Sequence, residues 1–205
     1  MHCIEDYYFS GDIADIRLID PGIQRLSVFK SYIIQLRSTF NYLEISPKKY
    51  ASLSFLNREY GLTEDIMKSI QNTADSYREK YYNANSIWEN IKDNPDVRLL
   101  KGNKWLCTSI LRQKDGVFSF YVVDAVILSD NRDDLSVSQV CAWLAEKEGK
   151  KTLEQMTNRI NQIFGSGFDK YKIAFKIKEK GIEDQILIDG IDDYLEQFIP
   201  ATDVE

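Results

Sequence analysis

The stretch from Ser136 to Ile188 constrains the fold most, because its periodicity changes from helical to strand-like within about fifty residues. Val137, Val140, Cys141 and Leu144 fall at helical spacing, and Gly149 stops that helix. Thr152 and Gln155 have the spacing of a capping box. Leu153, Met156, Ile160 and Ile163 then predict a second short helix, which Gly165-Ser166-Gly167 ends. From Tyr171 to Lys178 the pattern alternates. Tyr171, Ile173, Phe175 and Ile177 share one face, and Lys170, Lys172, Lys176 and Lys178 share the other. A period of two predicts a strand, with a loop at 179–184, a return strand at 185–188 and a short acidic helix over 191–199.

Two short helices, a tight turn and a hairpin resemble the element order of a winged helix. The charge is segregated too. Residues 147–180 hold nine basic and four acidic residues, a balance of +5 in a chain of net −6, so the remainder carries about −11. The resemblance implies a nucleic-acid surface on the second helix and the wing: Lys150, Lys151, Asn158, Arg159, Gln162, Lys170, Lys172, Lys176 and Lys178. Asn, Arg and Gln have the donors and acceptors that read base edges, and lysines suit phosphates. The competing account is a solvated helix face and an edge strand that its lysines protect from aggregation.

Upstream, Ile23, Leu26, Phe29, Ile33, Leu36, Phe40 and Leu43 predict one amphipathic helix. Ser46-Pro47 opens another, with Tyr50, Leu53, Leu56 and Tyr60 on its stripe and Gly61 as its stop. Thr63 caps a third over 63–92, about 42 Å long at 1.5 Å per residue. A helix that long exceeds what a small domain covers, so Tyr77, Tyr81 and Trp88 are candidate contacts with a protein partner or a second copy. Strands at 104–112 and 117–128 are expected to flank a turn at Gln113-Lys114-Asp115-Gly116. The helices at 47–60 and 63–92 and this hairpin repeat the order of 136–188, so a tandem pair of such units is a further reading.

The expected fold is α+β: a mainly helical N-terminal half, a central antiparallel hairpin and a C-terminal winged-helix-like unit. The polar turn at 129–134 divides a region 1–130 from a unit 135–205. His2 is the only histidine, which removes Ser-His-Asp and Cys-His mechanisms and histidine proton shuttles. Cys3, Cys107 and Cys141 form no C-x-x-C pair and read as free thiols in a reducing, cytoplasmic setting. No apolar run reaches the roughly 18–20 residues of a membrane span. No phosphate loop or calcium loop is present in the sequence, and no cofactor is expected.

Three functions follow in order. The first is a non-enzymatic regulator or adaptor that binds DNA or RNA through the basic unit and protein through the acidic helical half. The second is an acidic protein–protein interaction subunit, or an inhibitor of a larger assembly, with no nucleic-acid role. The third is a metal-dependent nuclease built on Asp124, an acid flanked by Val123 and Ala125 in an apolar strand. Glu148-Gly149-Lys150 and Asp169 with Glu183 are patterns that 32 acidic residues generate by chance.

Overall fold

Caps decide where most of the segments begin and end. In the computed structural model, which describes residues 2–36, 39–113, 121–123, 127–129 and 136–198, the chain is mixed α+β and mainly helical. The order begins α1 (His2–Tyr8), β1 (Ile13–Asp15), α2 (Pro21–Arg25), α3 (Ser27–Leu36), β2 (Tyr42–Ser46), β3 (Lys49–Ser52), α4 (Leu53–Tyr60) and α5 (Glu64–Ser76). It continues β4 (Tyr81–Tyr82), α6 (Ala84–Ile91), α7 (Pro95–Arg98), α8 (Lys104–Leu111), β5 (Tyr121–Val123) and β6 (Ile127–Ser129). Last come α9 (Val137–Glu148), α10 (Leu153–Phe164), α11 (Lys170–Lys180), α12 (Glu183–Ile186) and α13 (Asp192–Glu196). Residues 1–78 and 87–118 form one compact unit, and residues 79–86 and 119–205 another.

In the first unit, β1, β3 and β2 make an antiparallel sheet with β3 central. α8 packs along β2, where Ser109 Oγ accepts from the Glu44 amide at 2.9 Å and Asn103 Nδ2 donates to the Ile45 carbonyl at 3.1 Å. α5 lies against α7 and α8, and buried Gln71 donates to the Ile110 carbonyl at 2.9 Å. Phe9, Phe29, Tyr32, Leu36 and Tyr50 gather in an aromatic-rich cluster.

In the second unit, α11 packs on α9 and α10, and α12 on α9. Val140, Leu144, Met156, Ile160, Phe164, Ile173 and Ile177 are fully or almost fully buried. At about 1.5–3 kcal/mol for each large apolar side chain, this core is the main source of the unit's stability. Asn161 secures the turn into α11: its Oδ1 accepts from the Phe168 amide at 2.9 Å and its Nδ2 donates to the Phe168 carbonyl at 2.8 Å. Asn83 and Asn85 donate to the Phe164 and Ile163 carbonyls, which satisfies groups the end of α10 leaves open. β4, β6 and β5 form an antiparallel sheet with β6 central.

Both capping boxes of α9 and α10 form, and Gly165 closes α10 in the left-handed conformation. Other expectations change. Tyr171–Lys178 is not a strand but lies within α11, because Asp169 accepts from the Lys172 amide and Ile173, Ala174 and Ile177 bury at helical spacing. The return strand at 185–188 is replaced by α12 and a single parallel bridge between Leu187 and Lys151. The wing of the expected winged helix is therefore not formed there.

The expected strand at 104–112 is instead α8 (Lys104–Leu111), capped by Asn103, with Leu106, Cys107, Ile110 and Leu111 buried. Within and just beyond the expected strand at 117–128, β5 and β6 pair antiparallel with each other, while residues 114–116 of the expected turn lie outside the described residues. The long helix at 63–92 is broken: α5 ends at Ser76, and Tyr81–Tyr82 pair with β6. The helix at 23–43 breaks at Leu26, whose backbone is extended, and its last residues join β2. Residues 49–52 of the expected helix at 47–60 are β3, and Ser52 caps α4 instead. In each case pairing or burial from a distant segment outweighs local propensity.

Candidate nucleic-acid interface

The nine residues assigned from sequence all lie in the second unit, and most are engaged within it. Arg159 makes three hydrogen bonds to the Glu148 carboxylate, at 2.7, 3.0 and 3.1 Å, and one to Gln162 at 3.1 Å. Lys151 reaches Glu148 at 3.3 Å. The Arg159 guanidinium, with Lys151 behind it, holds the Glu148 carboxyl below its usual range. Lys150 donates to the Asp184 carbonyl at 2.6 Å. On α11, Lys178 meets both Asp192 and Glu183 at 2.9 Å, and these carboxylates raise its pKa. Lys176 pairs with Glu179 at 2.8 Å, Lys170 sits over the Tyr194 ring at 4.5 Å, and Lys172 over Phe168 at 5.2 Å. Asn158 is exposed. Residues 136–198 together hold nine basic and eleven acidic residues, and the basic window is answered by carboxylates within it, Glu148 and Glu179, and beyond it, Glu183 and Asp192.

Of the three candidate partner contacts, Tyr81 is buried edge-on to Trp143 at 5.5 Å, and Trp88 is buried with Lys104 above its ring. Tyr77 is 48% exposed. Asp124 lies outside the described residues. Among the described residues no cluster of three His, Cys, Asp or Glu is placed to hold a metal ion. Cys107 and Cys141 are buried, and burial pushes both thiols up to about 12, far from the reactive thiolate. No described helix is long and apolar enough to cross a membrane.

A second cationic surface lies on α8. Lys104, Thr108 and Arg112 recur every four residues and Trp105 stands beside them, so they occupy one arc of about 100°. Lys104, Trp105 and Arg112 are exposed and Thr108 is half-buried, while Leu106, Cys107, Ile110 and Leu111 fill the opposite arc. Lys101 precedes the helix, with its amine on the Glu59 carbonyl at 2.8 Å. Lys104 shares the Glu89 carboxylate, which it meets at 3.2 Å, with Lys92, which lies closer at 2.6 Å. The sequence signal was there to read: between Asp96 and Asp115 there are five basic residues and no acidic one. The strand assignment hid it, because a strand would split these residues between two faces.

The chain matches no known family model, no curated protein and no solved structure.

Proposed function

We propose that the protein is a non-enzymatic, nucleic-acid-associated adaptor whose contact helix is α8. The observation that carries this reading is topological. Along the chain, helix α5, strand β4, helices α6, α7 and α8, and strands β5 and β6 follow one another, and the last strand pairs between the other two. With the short helix α7 as an addition, that order and pairing resemble those of a winged helix, here some sixty to seventy residues upstream of the stretch that the sequence pattern favoured. In helix-turn-helix proteins the last helix of the motif enters the major groove, and α8 occupies that place in the order. Its solvent arc supplies cations for phosphates, a hydroxyl and an indole, without an acidic residue of its own.

Fluorescence anisotropy with labelled duplex and single-stranded DNA and RNA at two salt concentrations tests the reading. Lys104→Glu with Arg112→Glu should weaken binding about tenfold or more and flatten the salt slope by about one for each phosphate no longer neutralised. Lys172→Glu with Lys176→Glu should leave binding within about twofold. No binding at low salt, or the reverse pattern between the two variants, would reject α8 as the contact helix.

A further inference from the structure

We infer that the α8 surface takes unpaired nucleobases, one of them stacked on the Trp105 ring, so that its ligand is single-stranded nucleic acid. This rests on the reading of α8 as the contact helix and names what that helix binds. The three tryptophans of the chain differ in what covers their rings. Trp88 is buried, with Lys104 above it at 5.7 Å. Trp143 packs against Tyr81 at 5.5 Å and Phe164 at 6.5 Å, with Lys147 above it at 5.3 Å. Trp105 is 43% exposed, and among the described residues no ring or cation stacks on it.

The first turn of α8 decides between duplex and single strand. In helix-turn-helix proteins the N-terminal residues of the contact helix reach the base edges of a duplex. Here those residues are Lys104, Trp105, Leu106 and Cys107, and the last two are buried. Edge readout would fall to one ammonium and to an indole that has a single N–H donor and no acceptor. The hydroxyls that follow are engaged: Thr108 Oγ1 donates to the Lys104 carbonyl at 2.8 Å, and Ser109 Oγ accepts from the Glu44 amide at 2.9 Å. What the turn does offer is a flat π-face, and a base presents its own face only where it is unpaired. Cations stand on both sides of that ring along the chain. Lys101 and Lys104 precede it, and Arg112 follows, about 12 Å from Lys104 along the helix axis. An aromatic platform with cations along the backbone path is how proteins hold single strands without reading their sequence. Stacking is also indifferent to the sign of the remaining surface, which suits a chain of net −6.

Titration of the full chain with a labelled oligothymidine, an oligouridine of the same length and a matched DNA duplex is the test. Both single strands should bind about tenfold or more tighter than the duplex and should quench the tryptophan emission of the wild type. Trp105→Leu, which keeps apolar bulk without a ring, should weaken single-strand binding about tenfold and leave duplex binding within about twofold. Trp105→Phe should retain most of the affinity but lose the quenching, which also decides the matter if Trp105→Leu fails to fold. The two oligonucleotides separate DNA from RNA as the source, and a preference for either supports stacking, since both present a pyrimidine face. Equal or tighter binding of the duplex, or single-strand binding indifferent to Trp105→Leu, would overturn this inference. If Lys104→Glu with Arg112→Glu still weakened binding in that case, α8 would stand as the contact helix of a duplex. No binding of any probe would overturn both.

Discussion

α8 and α11 are both short, lysine-bearing helices in segments whose sequence pattern reads as β, yet their cations stand in different company. On α11, Lys178 is held by two carboxylates and Lys176 by a third, while Arg159 and Lys151 nearby share Glu148. On α8, the Glu89 carboxylate that meets Lys104 is closer to another lysine. The difference teaches that charge summed along a window is not charge presented at a surface. A window of +5 is offset once acidic residues beyond it, such as Glu183 and Asp192, fold back onto the same helices, whereas residues 97–114 carry no acidic residue of their own and meet carboxylates only from other segments, Glu89 at Lys104 and Asp93 at Arg98.

The largest effect that could break this comparison tests whether α11 is a helix at all. On a strand, Phe175 and Ile177 would share the buried face. On the helix, Ile177 is fully buried and Phe175 is about half exposed. Ile177→Ala should therefore cost about 2–4 kcal/mol in denaturant unfolding, and Phe175→Ala under about 1.5 kcal/mol, measured at a concentration where the chain is monomeric. Equal costs would restore the strand.

Next in size are the caps, where the two helices should behave alike. Asn103 accepts from the Leu106 amide at 2.9 Å, and Asp169 accepts from the Lys172 amide at 2.6 Å. Replacing either by Ala should cost about 1 kcal/mol, and by Gly only a few tenths. No cost at one site would mean that its helix starts elsewhere.

The smallest effect sharpens the electrostatic contrast. Glu148→Gln removes the carboxylate shared by Arg159 and Lys151, and for these partly exposed groups the loss should stay below about 1 kcal/mol at neutral pH. Because the folded Glu148 carboxyl is held below its usual range, its contribution is complete above the pKa of the unfolded chain. It disappears as pH falls through the lowered folded pKa. Stability of the wild type and of Glu148→Gln should then converge in acid. A difference that persists at low pH would assign the effect to packing.

Residue type and local spacing were enough for α9 and α10, whose boundaries follow from Ser136 and Thr152 as caps, from the helical rhythm of their apolar residues, and from Gly149 and Gly165. They were enough, too, for the start of α5 at Thr63 and the end of α4 at Gly61. These are local interactions, complete within a few residues, and the amino-acid sequence determines them by itself. Tertiary structure decided the rest. The alternation of 170–178 fits a strand, and it fits a helix that buries only Ile173, Ala174 and Ile177; the surrounding core of α9 and α10 selects the second. Tyr81 and Tyr82 continue a helical stripe in sequence, yet β6 recruits them as a strand from more than forty residues away. The candidate interface followed the same rule. Which cations face solvent and which meet a carboxylate depends on helix rotation and on the chain returning at Glu183 and Asp192, and no local pattern contains that information.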